Sequence, residues 1–220
     1  MVILGEIFPN FKAQTTVGDI MFHDWLKDSW GILFSHPADF TPVCTTELAQ
    51  VINLQNEFKK RNVKVIALSC DPVETHLKWC NDIKYYAGNA GNEFPYPIIA
   101  DDDRELALQL QIIDPDEKTS DGIPLTARAV FIVDPSKKMR LSILYPATTG
   151  RNFNEILRVI DSLQLCDKHK VATPVDWKNG DDVMVQPSVS DKEVKTLFPA
   201  LTVVTLPSGK GYIRKTPQPE

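Results

Sequence analysis

The feature that most constrains the fold is an alternation of two hydrophobic periods over the first three quarters of the chain. Short apolar runs rich in β-branched residues are typical of buried strands, and longer segments with apolar residues every three or four positions are typical of helices. The predicted strands are 31–35, 63–68, 129–133 and 141–145, and the predicted helices are 42–62, 74–86, 104–111 and 152–163. The sequence Asp-Pro-Ser-Lys-Lys at 134–138 favours a hairpin between the last two strands.

The order of these elements predicts the fold class. Strand, helix, strand and helix, followed by a strand hairpin and a helix, is the order of a thioredoxin-like α/β sandwich. Beyond residue 170 prolines and glycines become frequent, and only a short helix at 191–198 and a hairpin around 207–211 are predicted. A piece of about fifty residues rarely folds alone. We therefore expect a main domain over residues 1–167 and a small C-terminal extension over 168–220, packed on that domain or on a second subunit.

Composition narrows the class of protein. The 220 residues carry 24 Lys plus Arg against 29 Asp plus Glu, a net charge of -5, which argues against a nucleic-acid partner. No stretch resembles a signal peptide or approaches the roughly 20 apolar residues of a membrane span. The four cysteines are too sparse for a disulfide scaffold, and none forms a Cys-x-x-Cys pair. We expect a cytoplasmic protein whose thiols persist, and ask whether one of them is reactive.

Cys44 has the most distinctive position of the four. Thr41 suits the N-cap and Pro42 the first position of the helix predicted to start there. Cys44 then lies in the first helical turn, where unpaired N–H groups and the helix dipole stabilise an anion. Position alone is compatible with a reactive thiolate or with a small cysteine buried on a helix.

The pattern Pro37-x-x-x-Thr41-x-x-Cys44 resembles the active-site signature of the peroxiredoxins. The likeness continues over four further stretches, at residues 40–48, 126–128, 141–152 and 171–177. The last two are similar to the 1-Cys, peroxiredoxin-six-like subfamily in particular. The resemblance implies a peroxidase that reduces hydrogen peroxide and organic hydroperoxides without metal, flavin or haem. It also implies a homodimer, with the C-terminal extension reaching the partner near its active site.

The resemblance assigns a role to each residue around the cysteine. Cys44 would attack the peroxide and become a sulfenic acid, and Arg128 would hold the thiolate and polarise the peroxide. Thr41 would offer its hydroxyl to the peroxide, and Pro37 would shape and dry the pocket. On the residues alone, Arg128 is equally an ordinary arginine at a strand end, Thr41 a simple N-cap and Pro37 a loop breaker.

Three more residues complete the predicted site. Glu47 and Arg151 would orient Arg128, although a solvated ion pair is the plainer interpretation of these two. His36 lies beside the pocket in sequence, where a hydrogen-bonded loop histidine and a functional one are both compatible with the pattern.

The way in which a sulfenic acid is reduced depends on the other cysteines. Two-cysteine relatives carry a resolving cysteine in a C-terminal Val-Cys-Pro context, and Thr173 stands at that position here. We therefore expect an external thiol of the glutathione or thioredoxin type to reduce Cys44. Cys166 is the one substitute that the sequence offers. Cys70 and Cys80 are interpreted as core or near-surface thiols. A metal site formed by these two and His76 is not favoured, because the sequence offers no fourth ligand and not the usual spacing.

Two other activities are alternatives to a peroxidase. The subfamily is associated with a phospholipase A2 activity and a Gly-x-Ser-x-Gly motif, but residues 27–31 read Lys-Asp-Ser-Trp-Gly. His23 matches the proposed histidine, and Ser136, with Asp134 nearby, falls at the third position. We interpret Ser29 as part of a turn before a buried strand. A chaperone or scaffold of the same fold is the other alternative, and it would not need the residues around Cys44.

Overall fold

The computed structural model describes residues 2–220. The strands are β1 Lys12–Thr15, β2 Ile20–Met21, β3 Trp30–Ser35, β4 Val63–Ser69, β5 Ile98–Ala100, β6 Ile113–Lys118, β7 Pro124–Thr126, β8 Arg128–Val133, β9 Met139–Tyr145, β10 Val171–Ala172, β11 Val183–Val185, β12 Thr202–Val203 and β13 Arg214–Thr216. The helices are α1 Phe22–Leu26, α2 Pro42–Asn53, α3 Gln55–Lys60, α4 Val73–Tyr86, α5 Glu105–Gln109, α6 Phe153–Lys168 and α7 Asp191–Leu197.

A seven-stranded sheet organises the first part of the chain, in the order β2-β1-β5-β4-β3-β8-β9. Strands β3, β4 and β5 are parallel, whereas β8 is antiparallel to β3 and β9 to β8. Every residue of β3 and β8 is buried, as expected of central strands. The thioredoxin-like α/β fold predicted from the element order is confirmed. The sheet also brings the start of β8 beside the end of β3, from which the chain leads into α2.

The predicted helix over 42–62 is wrong in one respect, because two helices occupy that range. The chain breaks at Leu54, whose φ of -95° and ψ of 5° are not helical, and α3 starts at the next residue. This turn leaves Phe58 buried on the new helix. On α4, Trp79 and Ile83 are buried, whereas Tyr86, in the last turn, is exposed.

Several short strands were not predicted. β1, β2 and β5 are two to four residues long, too short for a period of two to be recognised. β5 also directly follows a proline, at Pro97, which in sequence marks a loop. These strands form because a neighbouring strand completes their hydrogen bonds, which a local pattern does not reveal.

The chain divides into two compact units, Met1–Phe153 and Asn154–Glu220. The second unit has its own four-stranded sheet, ordered β10-β11-β13-β12, and a small core that includes Trp177. Its predicted short helix is α7, and β12 and β13 form the predicted hairpin. This division lies at the start of α6, whereas the domain boundary predicted at 167/168 lies at its end. The predicted boundary stays a prediction. No helix within residues 2–220 is both long and apolar enough to cross a membrane.

Candidate active site

The cysteine at the start of α2 is buried, with a relative exposure of 0%. Thr41 is the N-cap residue and Pro42 follows at the first helical position, so Cys44 lies in the first turn as predicted. The Thr41 side chain does not cap the helix. Its hydroxyl donates to the carbonyl of Ala38 at 2.8 Å. The loop from β3 is thereby tied to the helix start, and the pyrrolidine of Pro37 is buried in that loop.

Arg128, the first residue of β8, points its guanidinium at the sulfur. Its Nη1 lies 3.3 Å from Cys44 Sγ and 2.8 Å from Glu47 Oε2. Its Nε and Nη2 both donate to the carbonyl of Ala147, at 2.8 and 2.6 Å. The guanidinium therefore contacts Cys44, Glu47 and the carbonyl of Ala147 at once. These contacts fix its orientation toward the sulfur. Cys44, Glu47 and Arg128 come from α2 and the end of the sheet, which the β3–β8 pairing brings together.

A second arginine holds the other side of the Glu47 carboxylate. The backbone N–H and the Nε of Arg151 donate to Oε1 at 2.7 and 3.0 Å, and its Nη2 donates to Oε2 at 2.6 Å. The Nη1 of Arg151 donates to the carbonyl of Ala129 at 2.7 Å. Burial raises the pKa of Glu47, but the hydrogen bonds and charge of Arg151, with the charge of Arg128, outweigh it and leave the pKa below its usual value. The carboxylate is ionised between two guanidinium groups.

This arrangement has a clear electrostatic consequence. Two permanent cations share one buried carboxylate, so the cluster of Arg128, Glu47 and Arg151 carries one net positive charge beside the Cys44 sulfur. Such a charge stabilises a thiolate, and it also stabilises negative charge that develops on an oxygen approaching the sulfur. The site is thus suited to nucleophilic attack by sulfur on a substrate with an oxygen leaving group.

His36 belongs to a different cluster, which was not predicted. Its Nε2 lies 2.9 Å from Asp39 Oδ1, and His76 Nδ1 lies 2.6 Å from Asp39 Oδ2. His76 Nε2 lies 3.1 Å from the carbonyl of Ile99. The two histidines are fully buried and Asp39 is 7% exposed. Spacing could have linked Asp39 to His36 three residues earlier, but His76 comes from α4 and only the fold brings it there.

The other three cysteines differ from Cys44 in their surroundings. Burial raises the pKa of Cys70 and of Cys80 to about 12, so both remain thiols. Cys166 is half-buried on α6, in the second unit. No disulfide joins any pair of the four. The two ring nitrogens of His76 contact Asp39 and the carbonyl of Ile99 rather than Cys70 or Cys80.

The residues of the possible hydrolase motif hydrogen-bond to other groups. The Ser29 hydroxyl donates to Asn62 Oδ1 at 3.3 Å, and His23 Nε2 lies 2.8 Å from the carbonyl of Phe8. The Asp134 carboxylate accepts hydrogen bonds from the backbone of Lys138 and the side chain of Arg140. Within residues 2–220, the hydrogen bonds of Ser29 and His23 therefore do not include one to each other, which a serine nucleophile and its base require.

Comparisons with known proteins agree with this geometry. Residues 4–142 match the AhpC/TSA family, and residues 162–199 match the C-terminal domain of 1-Cys peroxiredoxin. Peroxiredoxin-6 of Gallus gallus is 64% identical over 221 residues, covering 100% of this chain and 99% of that protein. Peroxiredoxin-6 of Homo sapiens is 60% identical over 220 residues, covering 99% of this chain and 98% of the human protein.

Solved structures show the same relationship. A cysteine-to-serine mutant of Peroxiredoxin 6 of Arenicola marina superposes with a TM-score of 0.98, at 63% identity, with 100% of both chains covered. A yeast mitochondrial 1-Cys peroxiredoxin has a TM-score of 0.90 at 48% identity, covering 99% of this chain and 100% of the yeast chain. These matches extend over both compact units. The chain belongs to the AhpC/TSA family and, within it, to the 1-Cys peroxiredoxins, which are thiol peroxidases.

Proposed function

We propose that Cys44 is the peroxidatic cysteine and that the other site residues act through it. The thiolate sulfur attacks one oxygen of a hydroperoxide and the O–O bond breaks. The sulfur keeps an OH group as a sulfenic acid, and the second oxygen leaves and takes up a proton, as water or an alcohol. The observation that carries this proposal is the 3.3 Å contact between Arg128 Nη1 and Cys44 Sγ, buried beside an ionised carboxylate.

Arg128 touches the reacting sulfur, and we assign it two tasks. It stabilises the thiolate before the reaction, and it stabilises the charge on the departing oxygen during the reaction. Glu47 and Arg151 are positioning residues in this proposal, because Glu47 accepts a hydrogen bond from Arg128 and Arg151 holds Glu47 in place. Thr41 keeps lone pairs on its hydroxyl oxygen while it donates to Ala38, so it can still accept a hydrogen bond from a hydroperoxide. Pro37 contributes a buried apolar wall that has no N–H group.

The test of the chemistry is a comparison of Cys44→Ser with Cys80→Ser in a peroxide-consumption assay with dithiothreitol. Both variants remove one buried thiol, but Cys80 lies outside the arginine cluster. We expect the first variant to lose activity completely and the second to keep it. A Cys44→Ser protein that is folded and still consumes peroxide would refute the assignment. If the protein were instead a chaperone or scaffold, Cys44→Ser would leave its function unchanged.

The reductant in this proposal is an external thiol. The yeast relative is described as being resolved through the glutathione and thioredoxin systems, and this chain has Thr173 where two-cysteine relatives carry a resolving cysteine. The Thr173 hydroxyl lies 2.6 Å from that of Ser162, a polar pairing inside the second unit. We propose glutathione or a thioredoxin-type protein as the donor and the cytoplasm as the compartment, since low-molecular-weight thiols are abundant there.

Mass spectrometry after one equivalent of peroxide distinguishes reduction by an external thiol from formation of a disulfide within the chain. With a sulfenic-acid trap present, the external route predicts one adduct on Cys44 and no disulfide within the chain. A stoichiometric disulfide between Cys44 and Cys166 would overturn it. A Cys166→Ser variant is the matched control, and we expect its turnover with glutathione or thioredoxin to equal that of the unmodified chain.

We further propose that the chain forms a homodimer through the edge of its large sheet. Strand β9 is the last in the order and pairs with β8; at its first residue, Met139, the backbone also hydrogen-bonds to Gly5 and Glu6. It is seven residues long and Leu144 on it is 62% exposed. A long edge strand with exposed apolar residues is a template for pairing with a second copy. Sedimentation of Leu144→Lys and of the surface control Leu108→Lys tests this, and only the first should dissociate toward a monomer.

A further inference from the structure

The second unit contains a dipeptide with a reactivity that the peroxidase chemistry does not use. Asn179 is the one asparagine of the chain that a glycine follows. The backbone nitrogen after an asparagine can attack the side-chain amide and expel ammonia, which is the first step of deamidation. Glycine favours this attack because it has no side chain to hinder the approach and has the widest choice of backbone conformations. Asn179 is therefore the asparagine whose sequence context most favours the reaction.

Asn179 and Gly180 are the central residues of a β-turn. The N–H of Asp181 donates to the carbonyl of Lys178 at 2.9 Å, and the Lys178 N–H donates to the Asp181 carboxylate, also at 2.9 Å. Gly180 has a φ of 101°, and a positive φ at the third position of a turn is typical of glycine. Asn179 and Gly180 are both exposed, so water reaches the atoms that would react.

The side chain of Gln218 holds both groups that would react. The Gly180 N–H donates to Gln218 Oε1 at 2.7 Å, and Gln218 Nε2 donates to Asn179 Oδ1 at 2.6 Å. A backbone N–H only donates, so Gln218 presents its oxygen to Gly180 and consequently its nitrogen to the Asn179 oxygen. The attacking nitrogen and the amide that it would attack are therefore bonded to the same carboxamide.

The pairing of two strands places Gln218 opposite the turn. β13 is antiparallel to β11, and Thr216 pairs with Val183. The residues after Thr216 therefore run back past the residues that precede Val183, which form the turn. Further along, the Lys168 side chain donates to the backbone oxygen of Glu220 at 2.9 Å. The segment that carries Gln218 is thus held on both sides, by β11 before it and by α6 after it.

Both hydrogen bonds oppose deamidation. The Gly180 nitrogen attacks only after it gives up its proton, and the hydrogen bond to Gln218 stabilises the N–H form. The attack also requires the Asn179 side chain to rotate toward that nitrogen, and the bond from Gln218 Nε2 restricts this rotation. The two bonds therefore raise the barrier by an amount that disappears when the glutamine side chain is removed.

We propose that Asn179 is a site of spontaneous deamidation and that Gln218 sets its rate. In the reaction the Gly180 nitrogen bonds to Asn179 Cγ, the carboxamide C–N bond breaks, and the amide nitrogen leaves as ammonia with the proton from Gly180. Water then opens the resulting cyclic imide at either carbonyl and leaves aspartate or isoaspartate. No oxidant or reductant takes part, and the proposal does not depend on the proposed function of Cys44.

The two products differ in their effect on the turn. Aspartate at this position keeps a side-chain oxygen that accepts a hydrogen bond from Gln218 Nε2. Isoaspartate adds a methylene group to the backbone before Gly180 and displaces the N–H that donates to Gln218. An isoaspartyl residue is also the substrate of protein-isoaspartyl methyltransferases, so such an enzyme can label it.

Peptide mass spectrometry of the full chain, aged in mildly alkaline buffer at physiological temperature, tests the proposal. It measures the fraction of the Asn179 peptide in which an oxygen atom has replaced an NH group, and methyltransferase labelling gives the isoaspartyl share. We expect Gln218→Ala to deamidate about tenfold faster than the unmodified chain, the effect of losing hydrogen bonds of ordinary net strength. Gln109→Ala, an exposed change in the first unit, is the control and should leave the rate unaltered. Asn92, exposed but followed by Glu93, should stay unmodified in the same samples.

Equal rates in Gln218→Ala and the unmodified chain would overturn the role of Gln218. An Asn179 that stays unmodified in folded Gln218→Ala, while the chain unfolded in urea is converted, would overturn the site itself. Circular dichroism verifies that each variant is folded. If Gln218→Ala does not fold, Gln218→Glu takes its place. It keeps the acceptor for Gly180 but loses the donor to Asn179, so it must deamidate faster than the unmodified chain.

Discussion

Two buried carboxylates near Cys44 are held in parallel ways but by different partners. Glu47 lies between the guanidinium groups of Arg128 and Arg151, and Asp39 lies between two imidazole rings. Each carboxylate receives a donor on both of its oxygens, and both are less than a tenth exposed. Burial by itself would raise the pKa of both carboxyl groups, and in both clusters the partners reverse this.

The partners differ in whether they can lose a proton. A guanidinium group stays charged in proteins, so the cluster around Glu47 has a fixed net positive charge. An imidazole can be neutral or charged, so the cluster around Asp39 balances its charge by where its protons reside. The first cluster is suited to stabilising a thiolate at all pH values of interest. The charge of the second can change when an imidazole gains or loses a proton.

The largest difference should be in stability. Glu47→Gln leaves two buried guanidinium groups without their shared counter-charge, and we expect a loss of about 3–5 kcal/mol in the free energy of unfolding. Asp39→Asn should cost less, because an imidazole, unlike a guanidinium group, can remain buried in its neutral form without a counter-ion. Urea unfolding of both variants measures this. Equal losses would show that the arginine cluster is not distinguished by its permanent charge.

The next effect concerns the fork geometry of Arg128. Arg128→Lys keeps one positive charge but cannot reach Cys44, Glu47 and the Ala147 carbonyl at once. We expect the rate constant for peroxide to fall about 10²- to 10³-fold, the usual cost of losing one aligned donor to developing charge. Stopped-flow oxidation kinetics measures it, with Arg104→Lys as the control. A loss below about fivefold would mean that charge alone is sufficient.

A smaller effect is that the two clusters change the stability of the protein in different pH ranges. The pKa of folded His36 lies below its usual 6.5, mainly through burial, so the unfolded chain binds a proton that the folded chain does not. Stability should therefore fall as pH drops below about 6.5, by at most about 1.4 kcal/mol per unit for this group. The pKa of Glu47 lies below its usual 4.5, so its contribution is complete above that pH and is lost only in more acid solution.

Unfolding free energies of the unmodified chain and of His36→Gln, measured from about pH 7.5 down to about pH 5, test this ordering. The difference between the two proteins should shrink as the pH falls, because the unmodified chain alone carries the His36 penalty. Two curves that remain parallel over this range would contradict a neutral, buried His36.

The smallest effect is on Cys80, whose pKa of about 12 is due first to burial and second to the charge of Asp39. Removing that charge in Asp39→Asn takes away only the lesser cause. Cys80 should stay unlabelled by a thiol reagent at pH 8 in both proteins, as read by mass spectrometry of the labelled peptides. Rapid labelling in Asp39→Asn would show that the charge, and not burial, protects this thiol.

Much of the fold of the first unit, and the position of Cys44, could be predicted from local sequence. The helix start at Thr41 and Pro42 places Cys44 in the first turn whatever lies around it, because capping preferences act over a few residues. The long strands and helices of the first unit were recognisable because their hydrophobic periods persist over many residues. The break at Leu54 and the short strands β1, β2 and β5 were not, because tertiary contacts outweigh weak local preferences there.

By itself, the sequence determined the fold class, the position of Cys44 on its helix and, through resemblance, the residues expected around it. Only the tertiary structure decided which partners meet: Arg128 is 84 residues from Cys44 along the chain, and His76 is 37 residues from Asp39. Hydrogen bonds of such range depend on sheet order and helix packing, which no local pattern encodes. Burial, likewise a product of the whole fold, is what keeps His36 neutral between charged neighbours.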